Sequence, residues 1–84
     1  MKIVINDKFG GYGYGVAKKF EELVARYEDD RTAPELVEFV ETHPDECGDL
    51  VVAEIPDTAT DYYINEYDGH ESILFVVDGK IHRF

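Results

Sequence analysis

The sequence predicts an α+β domain in which two helices pack on one face of a mainly antiparallel sheet, in the order β-α-α-β-β-β-β. Three observations carry that prediction. Apolar residues recur at three- and four-residue steps between residues 16 and 40, as a buried helix face requires. From Asp49 onward the pattern changes to short β-rich segments separated by turn signals. Two Asp-Gly pairs, Asp68-Gly69 and Asp78-Gly79, lie between such segments, where a type I′ hairpin turn needs φ > 0 at both central residues.

Met1 to Asn6 places β-branched residues in alternation and reads as a first strand. It runs into the polar, glycine-rich stretch Asn6 to Gly15. Val16, Phe20, Leu23, Val24 and Tyr27 then mark one face of a first helix within residues 16–29, with Glu22 and Arg26 paired at i,i+4 on its outside and Asp29-Asp30 closing it. Thr32-Ala33-Pro34-Glu35 fits a capping box with proline in the first turn, so a second helix is expected from about Ala33 to Thr42, stopped by Pro44. Leu36, Val37 and Val40 form its buried stripe. Strands follow at Leu50 to Ile55, Tyr62 to Tyr67, Ser72 to Val77 and Lys80 to Phe84, with Pro56-Asp57 turning the chain between the first two. Ile73 to Val77 is apolar at every position. That argues for a central strand covered on both faces, or covered by helices on one face and by a partner chain on the other.

Eighty-four residues, 44% of them apolar, support one domain (1–84) with one core, and eleven Tyr and Phe argue against disorder. Eight Lys and Arg stand against nineteen Asp and Glu, a net charge of -11, which opposes binding to phosphate backbones and anionic lipid. The charge is uneven. Residues 1–20 carry a local +3, whereas residues 21–84 hold four basic and eighteen acidic residues. A single cysteine, Cys47, cannot form an intramolecular disulfide. The first residues turn polar at Asn6 and no apolar run approaches the ~18 residues of a membrane span, so a cytoplasmic address without membrane contact is expected.

Met1-Lys2-Ile3-Val4-Ile5-Asn6 with Phe9-Gly10-Gly11-Tyr12, Arg31-Thr32 before Pro34-Glu35-Leu36-Val37, Glu54-Ile55-Pro56-Asp57, Glu66-Tyr67-Asp68-Gly69-His70-Glu71 and the terminal His82-Arg83 plus an aromatic form a set running the length of the chain. The set resembles a family of small bacterial and phage, or prophage-associated, proteins with no assigned activity. The chain departs from that pattern at Gly13-Tyr14-Gly15 and at Val76 to Lys80. The resemblance implies a phage or prophage context and carries over no catalytic residue.

Gly10-Gly11-Tyr12-Gly13-Tyr14-Gly15 stands between a strand and a helix, where phosphate-binding loops stand. The spacing fits neither a dinucleotide fingerprint, which would need glycine at Val16, nor a P-loop, which would need Lys-Ser/Thr after Gly15. The remaining readings are a plain loop whose Tyr12 and Tyr14 cover the sheet end, a tyrosine-bearing protein-binding loop, and an anion site kept open by Lys8, Lys18 and Lys19. His43, Cys47, His70 and His82 do not make a zinc set, and no calcium loop is present, so neither a metal nor any other cofactor is expected.

Glu35, Glu38 and Glu41 recur at three-residue steps on the second helix, about 4.5 Å apart along its axis, flanked in sequence by Glu21, Glu22, Glu28, Asp29, Asp30, Asp45, Glu46 and Asp49. Such an array suits a basic partner. The reading is a small, acidic, cytoplasmic protein-binding module, leaning away from an enzyme, with Tyr12, Tyr14, Glu35, Glu38 and Glu41 as candidate partner-binding residues. Its partner is a basic host protein, nucleic acid is not bound directly, and a homo-oligomer is compatible with the sequence. The first alternative is an acidic nucleic-acid mimic that inhibits a host DNA- or RNA-binding enzyme. The second is a small enzyme using the glycine-rich loop or Cys47.

Overall fold

The computed structural model describes residues 1–8 and 15–84. β1 (Lys2–Asn6) pairs antiparallel with β2 (Leu50–Glu54), and α1 (Glu21–Arg26) and α2 (Pro34–Thr42) lie between them in the chain. β3 (Asp61–Tyr67), β4 (His70–Val77) and β5 (Lys80–Arg83) form a second antiparallel sheet with β4 in the centre. The order β-α-α-β-β-β-β and the central place of the 72–77 segment match the sequence reading. The five strands, however, divide into two sheets.

Register explains the layering. Ile3 faces Ala53 and Ile5 faces Val51 across the β1–β2 ladder, so these four share one face while Val4 and Val52 share the other. The first face, with Ile55, packs on Ile73, Tyr62, Ile64 and Phe75 of the three-stranded sheet. The second joins Leu36, Val37, Phe39 and Val40 of α2, with Val24, Cys47 and Leu50. β1 and β2 are therefore a middle layer, and Ile3, Val4 and Ala53 have no exposed surface. This corrects the expected coverage of β4: its inner face is covered by the other sheet, not by the helices, and no element among the described residues packs on its outer face.

Both Asp-Gly pairs close two-residue hairpins, with Tyr67 opposite His70 and Val77 opposite Lys80. Asp68 and Gly69 have φ of 52° and 87°, and Asp78 and Gly79 have 52° and 76°, the two positive values that such a turn demands.

The helices depart from expectation at their ends. The first segment is split into a 3-10 turn at Lys18–Phe20 and the six-residue α1. Phe20, at φ -110° and ψ 1°, leaves helical geometry at the junction, and its ring packs 4.6 Å from that of Phe39. Glu28, Asp29 and Asp30 would place three negative charges at a helix C-terminus, where the macrodipole disfavours them, and α1 has ended before them at Arg26. Arg26 reaches Glu35 of α2 at 3.9 Å, and its expected pair with Glu22 is not formed among the described residues.

The capping box is not formed either. The N-cap of α2 is Ala33, whose carbonyl accepts the Val37 N–H at 3.0 Å. Thr32 Oγ1 donates instead to Asp30 Oδ1 at 3.0 Å, and Glu35 accepts from the Tyr27 hydroxyl at 2.5 Å, so both box side chains are engaged elsewhere. Pro34 holds the first turn as expected.

Candidate functional site

α2 buries Leu36, Val37, Phe39 and Val40, which leaves Glu35, Glu38 and Glu41 exposed on its other side. The three candidate acids thus share a solvent face, but they are not equivalent. Glu41 takes a 2.8 Å contact from Lys2 Nζ, and that pairing holds the lysine above its ordinary pKa. Glu35 accepts from Tyr27 and lies by Arg26, and its carboxylate pushes the Tyr27 phenol up. Glu38 makes no ion pair among the described residues.

Beside Glu35 and Glu38 runs a shallow groove of about 180 Å³, floored by Phe20, Leu23 and Phe39 and closed at one end by Thr42 and His43. The aromatic floor comes from two elements: Phe20 ends the 3-10 turn, Phe39 is on α2, and the His43 ring stacks on Phe39 at 5.5 Å. Carboxylates over an apolar floor suit a lysine or arginine side chain, whose stem is apolar and whose head is charged. Phe39 was absent from the stripe read in the sequence, because Leu36, Val37 and Val40 satisfy the helical period without it. Tyr12 and Tyr14, the other candidate residues, lie outside the described residues.

A second polar cluster escaped the sequence reading. Odd-numbered residues of β1 bond to β2, so Val4 and Asn6 turn their backbone groups to the strand's free edge. Val4 N–H donates to the Arg31 carbonyl at 2.8 Å, the Arg31 guanidinium donates to the Val4 carbonyl at 3.3 Å, and Asn6 N–H donates to Glu71 Oε1 at 2.7 Å. Arg31 and Glu71 then join through two bonds of 2.8 and 3.0 Å, each side chain only about a tenth exposed. Asn6 Nδ2 donates to the Gly69 carbonyl at 2.6 Å, while its Oδ1 is buried with no partner among the described residues.

These residues come from three separate sequence motifs, around Asn6, Arg31 and Gly69-His70-Glu71. Their convergence caps the β1 edge and ties the three-stranded sheet to it, a structural task for groups that had no visible partners in the sequence. The cluster borders a cleft of about 330 Å³ rimmed by Glu28, Asp29, Asp30 and Glu66, with Tyr62 and Ile64 in its wall. The acids flanking α2 in sequence therefore spread over two surfaces.

Cys47 is buried, its Sγ facing the carbonyls of Leu50 and Pro44 at 3.5 and 3.6 Å, and burial pushes its thiol pKa up. A buried, protonated thiol is a poor nucleophile. No group of three or more His, Cys, Asp or Glu side chains among the described residues is arranged to hold a metal ion, and no helix there is long and apolar enough to cross a membrane. Comparison of the chain with protein-family models, with curated proteins and with solved structures finds no match in any of the three.

Proposed function

We propose that this chain is a small, acidic protein-binding module that docks a basic segment of a partner protein along α2. The observation that carries the reading is the groove in which Glu35 and Glu38 rim a floor of Phe20, Leu23 and Phe39. A net charge of -11 draws a basic partner toward the chain, and the groove supplies an apolar surface for the stem of its lysine or arginine. The cytoplasmic address and the phage or prophage context belong to the same proposal, the latter resting on the sequence resemblance alone.

Mimicry of nucleic acid is the competing reading. It asks for an evenly charged track, and the engagement of Glu41 by Lys2 and of Glu35 by Arg26 and Tyr27 favours docking of a protein segment over mimicry.

The test is titration of a synthetic peptide that alternates arginine or lysine with leucine. Changing Glu35, Glu38 and Glu41 together to Gln should slow association about tenfold at low salt while leaving the fold intact, because all three side chains are exposed. Phe20→Ala should instead speed dissociation. Equal association rates for the triple variant and the parent at low salt would reduce the acidic face to a solvated surface and sink the proposal.

A further inference from the structure

The outer face of the three-stranded sheet is independent of the α2 groove. Alternation places Tyr62, Ile64, Ile73 and Phe75 inward against β1 and β2, so Asp61, Tyr63, Leu74, Val76, Ile81 and Arg83 point outward. Tyr63 is 53% and Ile81 71% exposed, and Leu74 and Val76 are half-buried. A surface strand usually alternates apolar with polar residues, yet β4 carries apolar side chains toward both faces from Ile73 to Val77. The outer ones have nothing from this chain to pack on among the described residues.

We infer that this face binds a second copy of the chain in a two-fold, face-to-face dimer. Charge selects that occupant. These six residues carry one acid and one base, so the patch is neutral on a chain of net charge -11 and offers a basic partner no attraction. On it two acidic copies meet without setting one acidic cluster against another.

The two charges also suit a two-fold. Asp61 is on β3 opposite Val76, and Arg83 is on β5 opposite Leu74, so they stand at diagonal corners of the patch. A two-fold axis in the plane of the face and along β4 sets β3 of one copy over β5 of the other. Asp61 then lies within two residue steps, roughly 7 Å along the strand, of Arg83 in the copy. The long, flexible Arg83 side chain spans that offset.

Size sets the strength. Three strands about 4.8 Å apart and seven residues at about 3.3 Å each outline the whole outer face at roughly 300 Å² per copy, of which these six residues fill only a part, well below the ~800 Å² of a standard interface. The dimer is accordingly weak and depends on protein concentration.

Sedimentation equilibrium on the whole chain over a wide concentration range, at low and at moderate salt, tests this. Dimer should appear as concentration rises and should strengthen with salt, which screens repulsion between two acidic bodies, whereas salt weakens the docking of a basic peptide. Ile81→Glu should reduce association at least about tenfold by placing a charge in the interface, with an unchanged melting temperature because the side chain is exposed. Asp61→Arg and Arg83→Asp should each weaken the dimer, and the two together should restore it to within a few-fold. The Gln variant of the α2 acids should not lose the dimer. A monomer at every concentration, association unaffected by Ile81→Glu, a charge swap that fails to restore it, or association weakened by salt would each overturn the inference.

Discussion

α2 turns Glu35, Glu38 and Glu41 to water, whereas the three-stranded sheet turns Tyr63, Leu74, Val76 and Ile81 outward. Both elements bury one face against β1 and β2, from opposite sides. The difference shows that burial of the inner face secures the fold in either case, and that the outer face is free to take a different character. Between them, β1 has its inner positions buried from both sides and an edge closed by Arg31 and Glu71.

The harshest way to break this arrangement is at the seam. Glu71→Gln removes the charge that balances the Arg31 guanidinium, and breaking a buried ion pair costs about 3–5 kcal/mol. Urea unfolding should show that loss. The β1 edge, once uncapped, is also a template for strands of other chains, so the variant should aggregate more readily than the parent. A cost below about 1 kcal/mol would mean that the pair is solvated in solution and that the seam is held by apolar packing alone.

The comparison of the two faces sharpens through paired truncations. Leu36→Ala, at a fully buried position of α2, should destabilise by about 3 kcal/mol. Ile81→Ala, on the outer face of β5, should stay within about 0.5 kcal/mol in dilute solution. Similar costs at the two positions would show that Ile81 is covered even in the monomer.

How far these contrasts were visible in the sequence depends on the distance over which each signal acts. The Asp-Gly turns and the strands they join depend on neighbours a few residues apart, and they stand where the sequence put them. The division into two sheets does not announce itself, because β1 and β2 are too far apart in the chain for a local pattern to say which strands pair. The helix ends failed for another reason: Thr32 and Glu35 match a capping box, but Asp30 and Tyr27 compete for the same side chains. The α2 acids were legible from their spacing. The floor of their groove was not, since Phe20 and Phe39 meet only in three dimensions. Nothing in the sequence marks Arg31 and Glu71 as partners, because the β1 edge that both of them cap exists only in the fold.

A smaller test concerns the hairpins that shape the outer face. Gly79 has φ of 76°, and a Cβ built there meets nothing within 4 Å, so Gly79→Ala isolates backbone strain from crowding. The cost should be about 1 kcal/mol, read as a shift in the urea midpoint with an unchanged slope. A changed slope would show that the β4–β5 turn also controls how compactly the chain unfolds.

The pairing of β1 with β2 also dictates an order of assembly. β4 finds β3 and β5 across two-residue turns, a search over a few residues, whereas Lys2 must find Glu54 after more than fifty residues have been made. The β1–β2 ladder is therefore the pairing with the longest search. A nascent chain carries Ile3, Val4 and Ile5 without their ladder until β2 has left the ribosome, and Ile3 and Ile5 stay uncovered on their other side until the meander follows.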